Sequence, residues 1–218
     1  MFLVLGFLSS CQSPNTLVQS GFSDNSGNDA LWANDWSLNL YRQPEHRSEV
    51  EDFYTALTGD SLVTKAILQA CDTNDVPPSL AFALVSTESE FNPKALGYNS
   101  NSRDYGLFQL NSRTYPKLKP EQAFNPFVNA QYGASHLRAS LEMSTNPAEA
   151  LAIYNAGPKR VQQGLIPHST RTYVKKIISL KNEYETQFMD LMFSEKLLAQ
   201  GIKSSKAPGS LLDTASPF

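Results

Sequence analysis

The feature that most constrains the fold is the spacing of apolar residues, which recur three and four positions apart over most of the chain. Two such stripes are Val63, Ile67, Leu68 and Cys71, and Tyr173, Ile177, Leu180, Tyr184 and Phe188. Residues at this spacing share one face of an α-helix. Strand-type alternation never extends beyond a few residues. The sequence therefore predicts a mainly α protein with, at most, a small β-hairpin in the loop of residues 97–108.

Helix boundaries can be read from proline, asparagine and glycine. Pro77 or Pro78 is well placed to begin a helix, because proline is favoured at the first helical position. Asn146 and Pro147 resemble the start of a capping box, with the asparagine as N-cap. The helix that they open should stop at Gly157.

The chain has 218 residues, which is enough for one well-packed domain with flanking segments. The predicted segments, in chain order, are a signal at 1–11, a partly ordered tether at 12–50, a helical domain with a long C-terminal helix at 51–200, and a disordered tail at 201–218. The tether is rich in Ser, Asn, Gly and Asp, which is typical of a spacer. Its tryptophans, Trp32 and Trp36, indicate that part of it packs on the domain or forms a short helix.

The N-terminus begins with a short apolar stretch, MFLVLGFLSSCQS, followed by small residues and a cysteine, which is typical of a processed export signal. Leu8-Ser9-Ser10-Cys11 resembles a bacterial lipobox. The resemblance implies that Cys11 is lipidated and that the protein is exported to the periplasm and anchored to a bacterial membrane, for which the outer membrane is the expected one. An ordinary cleaved signal or an apolar N-terminus without this role is the alternative.

Composition and charge argue against several classes of partner. The net charge is −3 and no cluster of Lys and Arg is present, so nucleic acid is not an expected partner. Besides Cys11 the chain has only Cys71, which falls on an apolar helix face and is expected in the core. His46, His136 and His168 are scattered, so neither a metal site nor a cofactor is predicted.

Two carboxylates lie at the end of the helix opened by Pro77 or Pro78. Leu84 and Val85 belong to its apolar stripe, and the next position on that stripe is Glu88. Glu90 lies about 200° further round the helix and should face solvent. A glutamate on an apolar face is partly desolvated, which raises its pKa and suits it to general-acid catalysis. The alternative is that Glu88 pairs with an arginine or caps a buried amide.

Three separated motifs carry a family resemblance. They are Glu88-Ser89-Glu90-Phe91-Asn92-Pro93, Gly106-Leu107-Phe108-Gln109 and Ile153-Tyr154-Asn155-Ala156-Gly157. In this order they resemble the catalytic domain of soluble lytic transglycosylases, which are relatives of goose-type lysozyme. The resemblance covers roughly residues 61–185. It implies a lysozyme-like fold and, as the partner, the glycan strands of peptidoglycan.

The resemblance also implies a role for individual residues. Glu88 would be the single acid and base, Gln109 would line the floor of a sugar-binding groove, and Phe108 would replace the usual Met as an apolar wall. Further residues expected to contact substrate or orient Glu88 are Ser89, Tyr154, Asn155 and Tyr173. Phe108 and Tyr173 have a simpler interpretation as core residues, and Gly157 as a plain helix end.

Asp104 is a candidate auxiliary carboxylate. The stretch DYGLFQLNS is similar to animal-type lysozymes, in which the aspartate before Tyr-Gly is the second catalytic carboxylate. Asp104 could equally be a turn residue that bonds its own backbone. The function implied by the resemblance is a peptidoglycan lytic transglycosylase, which cleaves the β-1,4 bond between N-acetylmuramic acid and N-acetylglucosamine with Glu88 and leaves 1,6-anhydro ends. The alternatives are a hydrolytic muramidase that uses Glu88 and Asp104, and a glycan-binding lipoprotein without activity.

Overall fold

The structure is a computed structural model that describes residues 35–199, with side chains described as far as Ser194. The predicted signal with Cys11, the first part of the predicted tether with Trp32, and the predicted tail lie outside the described residues. The helices within this range are α1 (Trp36–Tyr41), α2 (Arg47–Thr58), α3 (Ser61–Asn74), α4 (Pro78–Ser89), α5 (Pro120–Ala123), α6 (Pro126–Glu142), α7 (Pro147–Ala156), α8 (Pro158–Gln162) and α9 (His168–Ala199). The strands are β1 (Leu96–Tyr98), β2 (Arg103–Tyr105) and β3 (Leu110–Asn111). The prediction of a mainly α fold is confirmed.

The helix boundaries follow the local chemistry that the sequence indicates. Helix α4 begins at Pro78, and α7 begins at Pro147 with Asn146 as its N-cap, whose side chain accepts a hydrogen bond from the backbone N–H of Glu149. Helix α7 ends before Gly157, which has a φ of 84°. The Glu149 carboxylate accepts hydrogen bonds from Thr145. In a capping box the Glu149 carboxylate would accept from the backbone N–H of the N-cap, Asn146. The observed contact is therefore shifted by one residue toward the N-terminus.

Helix α4 is the central element of the core. Its residues from Leu80 to Val85 are fully buried on every side of the helix, including the large side chains of Phe82 and Leu84. Helix α9 packs along α4, and α6 packs along α3. Each large apolar side chain buried in this way contributes about 1.5–3 kcal/mol. Cys71 of α3 is fully buried in the same core, as expected from its helix face.

The helical domain begins earlier than the sequence predicted. Leu38 and Tyr41 of α1 and Val50 of α2 are buried in the common core. The carboxylate of Asp35 accepts a hydrogen bond of 2.8 Å from the backbone N–H of Ser79, at the start of α4. Residues 35–50, the last part of the predicted tether, therefore pack on the domain and extend it beyond the boundary predicted at residue 51. Trp36, which indicated packing in the sequence, is exposed, and Leu38 and Tyr41 of the same helix make the contact with the core.

A three-stranded antiparallel sheet in the order β1-β2-β3 occupies the region where only a hairpin was expected. Gly97 pairs with Asp104, and Asp104 pairs with Asn111. The buried side chain of Asn129 on α6 fixes the turn after β2: it accepts from the backbone N–H of Phe108 at 2.8 Å and donates to the carbonyl of Tyr105 at 2.8 Å. The sheet is thereby held against the helices at a fixed position.

Candidate active site

A groove of about 1030 Å³ lies between the C-terminal end of α4, the sheet, and helices α6, α7 and α8. Its lining is mostly polar around the two acids. The lining residues with polar side chains are Glu88, Asn99, Ser102, Asp104, Gln109, Asn111, Arg113, Thr114, His136, Ser140, Tyr154, Asn155 and Arg160. The groove therefore brings residues from all three motifs of the sequence into one place.

Glu88 lies in the last turn of α4 and is largely buried. The hydroxyl of Tyr173 on α9 donates to its Oε1 at 2.6 Å. Burial raises the pKa of Glu88 to about 7; the Tyr173 hydrogen bond opposes this rise and the negative charge of Asp104 adds to it. Glu90 is exposed and follows the end of the helix with a φ of 52°, so the predicted difference in exposure between the two glutamates is confirmed.

Asp104 faces the same groove from β2. Its Oδ2 accepts from the side-chain amide of Asn99, and its Oδ1 accepts from that of Asn111, both at 2.7 Å. The Asn111 amide also donates to Ser102 Oγ at 2.9 Å. Asp104 is thus a strand residue held by amides of its own sheet region, and the interpretation as a turn residue that bonds its own backbone is wrong.

Tyr154 and Tyr173, both in the predicted set, make hydrogen bonds to two different parts of the site. The Tyr154 hydroxyl donates to the carbonyl of Phe108 at 3.0 Å. The rings of Tyr154 and His136 pack edge to face, with their centroids 4.7 Å apart. Burial raises the pKa of Tyr154 well above its ordinary value, so its hydroxyl stays protonated. Tyr173 contacts Glu88 directly, as described above. Tyr154 therefore supports the groove wall, while Tyr173 orients the acid.

Gln109 and Asn155 also line the groove. The Gln109 Nε2 donates to the carbonyl of Gly106 at 2.8 Å, and the residue has a φ of 48°, which an L residue rarely adopts. The Asn155 Oδ1 accepts from the Thr170 hydroxyl at 2.7 Å, which links α7 to α9. These hydrogen bonds hold both side chains in place in the groove lining.

Three of the predicted substrate-binding residues do not line the groove: Tyr173, which donates to Glu88 instead, and Phe108 and Ser89. Phe108 is fully buried, and its ring lies so close to Gly133 that a Cβ added there would be 2.1 Å from Phe108 Cγ. Ser89 is buried and its hydroxyl donates to the Val85 carbonyl of the preceding turn. The prediction that Phe108 forms an apolar wall is wrong, because its side chain packs into the core against α6. The prediction that Ser89 contacts substrate is wrong as well, because its hydroxyl bonds to its own helix.

Several groove residues were not predicted, among them Asn99, Asn111, His136, Arg113 and Arg160. Asp104 and Asn111 belong to two different strands, and the register that pairs them is not visible in the sequence. No group of three or more His, Cys, Asp and Glu side chains suited to a metal ion occurs among residues 35–199. No helix in that range is long and apolar enough to cross a membrane.

A helical core, a largely buried glutamate at the end of its central helix, and a small polar sheet across the groove define a lysozyme-like domain. A family described as the transglycosylase SLT domain matches residues 65–173, half of the chain. The chain belongs to this family.

Among the relatives, Protein IpgF of Shigella flexneri is 33% identical over 101 residues, covering 42% of this chain and 66% of IpgF. Invasion protein IagB of Salmonella typhimurium is 33% identical over 102 residues, covering 43% of this chain and 64% of IagB. The chain thus spans slightly less than two thirds of these relatives. The 70 kDa soluble lytic transglycosylase of Escherichia coli has a similar fold, with a TM-score of 0.50 and 23% identity over 74% of this chain and 30% of that one.

Proposed function

We propose that this protein is a lytic transglycosylase that cleaves the β-1,4 bond between N-acetylmuramic acid and N-acetylglucosamine in peptidoglycan and leaves 1,6-anhydro ends. Membership of the SLT family supports the reaction class. The observation that carries the proposal is the state of Glu88: a groove-lining carboxyl whose pKa is raised to about 7. Such a group exists in both protonation states at neutral pH, as an acid and base in one reaction must.

In the first step Glu88 acts as the general acid. The protonated carboxyl donates its proton to the bridging oxygen while the bond to the anomeric carbon breaks. Tyr173 holds Oε1, and Oε2 accepts no hydrogen bond from the described residues. The Tyr173 contact therefore fixes the rotation of the carboxyl and leaves one oxygen directed to the substrate.

In the second step the same residue acts as the base. The Glu88 carboxylate takes the proton from the muramyl 6-hydroxyl, whose oxygen attacks the anomeric carbon and closes the anhydro ring. Water is not consumed, and the proton gained restores Glu88 for the next cycle. Burial favours this return, because the desolvated carboxylate is a stronger base than an exposed one.

Asp104 supplies a fixed negative charge in this scheme. Its two oxygens accept hydrogen bonds from the side-chain amides of Asn99 and Asn111, which hold the carboxyl group in a fixed position in the groove. The positive charge that develops at the anomeric carbon is therefore stabilised by an anion in the groove. A hydrolytic muramidase is the second candidate, because a second carboxylate lines the same groove and could activate water.

The test is mass spectrometry of the glycan products that the purified protein releases from sacculi. The expected products carry anhydromuramyl ends, and Glu88→Gln lowers their formation by at least about 1000-fold, since acid and base catalysis are both lost. Glu90→Gln is the matched control, an exposed carboxylate two residues away, and should retain full activity. Reducing muramyl ends would instead identify the muramidase. A protein that binds sacculi and never cuts them would identify a glycan-binding module.

We further propose that the protein is exported and lipid-anchored through Cys11, since its substrate lies outside the cytoplasm. Metabolic labelling with a radioactive fatty acid tests the anchor. Label should enter the wild-type protein and be absent from Cys11→Ser, which should also leave the membrane fraction. Equal labelling of the two proteins would refute the anchor at this residue while leaving the activity untouched.

A further inference from the structure

Two arginines line the groove and have no role in the proposed chemistry. Arg113 follows β3 and Arg160 belongs to α8, so they come from different elements of the lining. Among the described residues, neither guanidinium makes a hydrogen bond or an ion pair. Arg42 and Arg138 show the contrast, because each is tied to carboxylates such as that of Asp75. The two groove arginines are therefore free to bind a ligand.

The chemistry of the substrate limits what these cations can recognise. The sugar rings of a peptidoglycan strand are neutral, and its negative charge lies on the substituent of the muramyl 3-oxygen. That substituent is a lactyl group, which ends in a free carboxylate or continues into a peptide with carboxylates of its own. Arginine binds a carboxylate through two parallel hydrogen bonds, which a neutral hydroxyl cannot offer.

We propose that Arg113 and Arg160 bind carboxylates of the muramyl 3-O-substituent and so select acidic glycan strands over neutral ones of the same backbone. The proposal rests on the proposed function, because it takes peptidoglycan as the ligand of this groove. Neither groove acid is paired with these arginines among the described residues. Asp104 accepts from the amides of Asn99 and Asn111, and Glu88 accepts from the Tyr173 hydroxyl.

The experiment measures binding in a Glu88→Gln background, where no cleavage disturbs the equilibrium. Three ligands share one backbone: strands with peptides, strands after enzymatic removal of the peptides, and the latter with the lactyl carboxyl converted to a methyl ester. Arg113→Gln with Arg160→Gln is compared with the matched control Lys175→Gln with Lys176→Gln. The control removes the same charge from exposed positions of α9 outside the groove lining.

The expected result is that the double arginine variant weakens binding of acidic strands by about fivefold or more, as exposed ion pairs of this kind allow. The double arginine variant should bind the neutral ester with unchanged affinity. The lysine control should bind all three ligands with unchanged affinity. If the double arginine variant binds only the peptide-bearing strands more weakly, the arginines contact peptide carboxylates. If it also binds the strands without peptides more weakly, they contact the lactyl carboxylate. High salt should reduce the difference.

An equal loss on the neutral ester, an equal loss in the lysine variant, or no loss at all would each overturn the proposal. Failure of the proposed function gives a different result. If the wild-type protein never cleaves sacculi but the charge preference is observed, recognition by the arginines stands and the enzymatic proposal falls. If anhydro products form without any charge preference, the reverse holds.

Discussion

The two sides of the groove hold their carboxyl groups by different means. On the helix side, Glu88 is desolvated by the core and contacts one hydroxyl, that of Tyr173. On the sheet side, Asp104 accepts two amide hydrogen bonds, from Asn99 and Asn111. Burial destabilises a negative charge, whereas amide donors stabilise it. The local surroundings therefore decide what each carboxyl can do, since the helix side suits a group that exchanges a proton, whereas the sheet side fixes its carboxyl in position through two amides.

The largest expected effect concerns stability and the helix side. Burial raises the folded-state pKa of Glu88 from the ordinary 4.5 to about 7. Its contribution to folding stability is fully present below pH 4.5 and is lost as the pH rises through about 7. Relative to Glu88→Gln, the wild-type protein should lose about 3 kcal/mol of unfolding free energy over this interval.

Denaturant unfolding of both proteins at a series of pH values measures this difference, with Glu90→Gln as the exposed control. If the unfolding free energies of the wild type and Glu88→Gln changed equally with pH, Glu88 would be solvated. The contrast between the two sides of the groove would then disappear.

The next effect concerns the sheet side. Asp104→Asn removes the negative charge but keeps the size of the side chain, so we expect cleavage to fall on the order of 100-fold, with anhydromuramyl ends still the product. The pKa of Glu88 should also fall, because the Asp104 charge helps to raise it. Product analysis and the pH–rate profile measure both changes. If Asp104→Asn loses cleavage as completely as Glu88→Gln, and the wild-type products carry reducing ends, Asp104 is a catalytic residue of a hydrolase.

A smaller effect is expected for Tyr173→Phe, which removes the hydroxyl that donates to Glu88 Oε1. Activity should fall about tenfold, as for a lost hydrogen bond to a charged group. The pKa of Glu88 should rise, because this bond opposes the effect of burial. The alkaline limb of the pH–rate profile therefore moves to higher pH, opposite to its movement in Asp104→Asn. Movement of this limb in the same direction in both variants would refute the assigned causes.

The smallest effect is expected for Gly97→Ala on β1. A Cβ at this position would lie 2.8 Å from Gln109 Oε1 and 3.1 Å from Asp104 Cβ, so both side chains must shift by a few tenths of an ångström. We expect kcat/KM to fall about threefold with little change in thermal stability, because the Gln109 amide can move. Leu96→Ala, at an exposed neighbouring position of β1, is the control. A full-activity Gly97→Ala protein would show that the sheet side tolerates displacement.

The sequence alone determined the features that depend on local order. Helix α4, its start at Pro77 or Pro78 and the burial of its Glu88 side followed from apolar spacing and from proline chemistry. Glu90 was placed in solvent by the same helical geometry. The order of three motifs was sufficient to indicate the family, because each motif is a continuous stretch of chain.

Only the tertiary structure decided the contacts between distant segments. The register that sets Asp104 beside Asn111, the 2.6 Å contact of Tyr173 with Glu88, and the burial of Phe108 against Gly133 join residues that no local pattern relates. The same holds for the inclusion of residues 35–50 in the domain. Helical periodicity shows which face of a segment is apolar, but the partner that covers this face is chosen by packing of the whole chain.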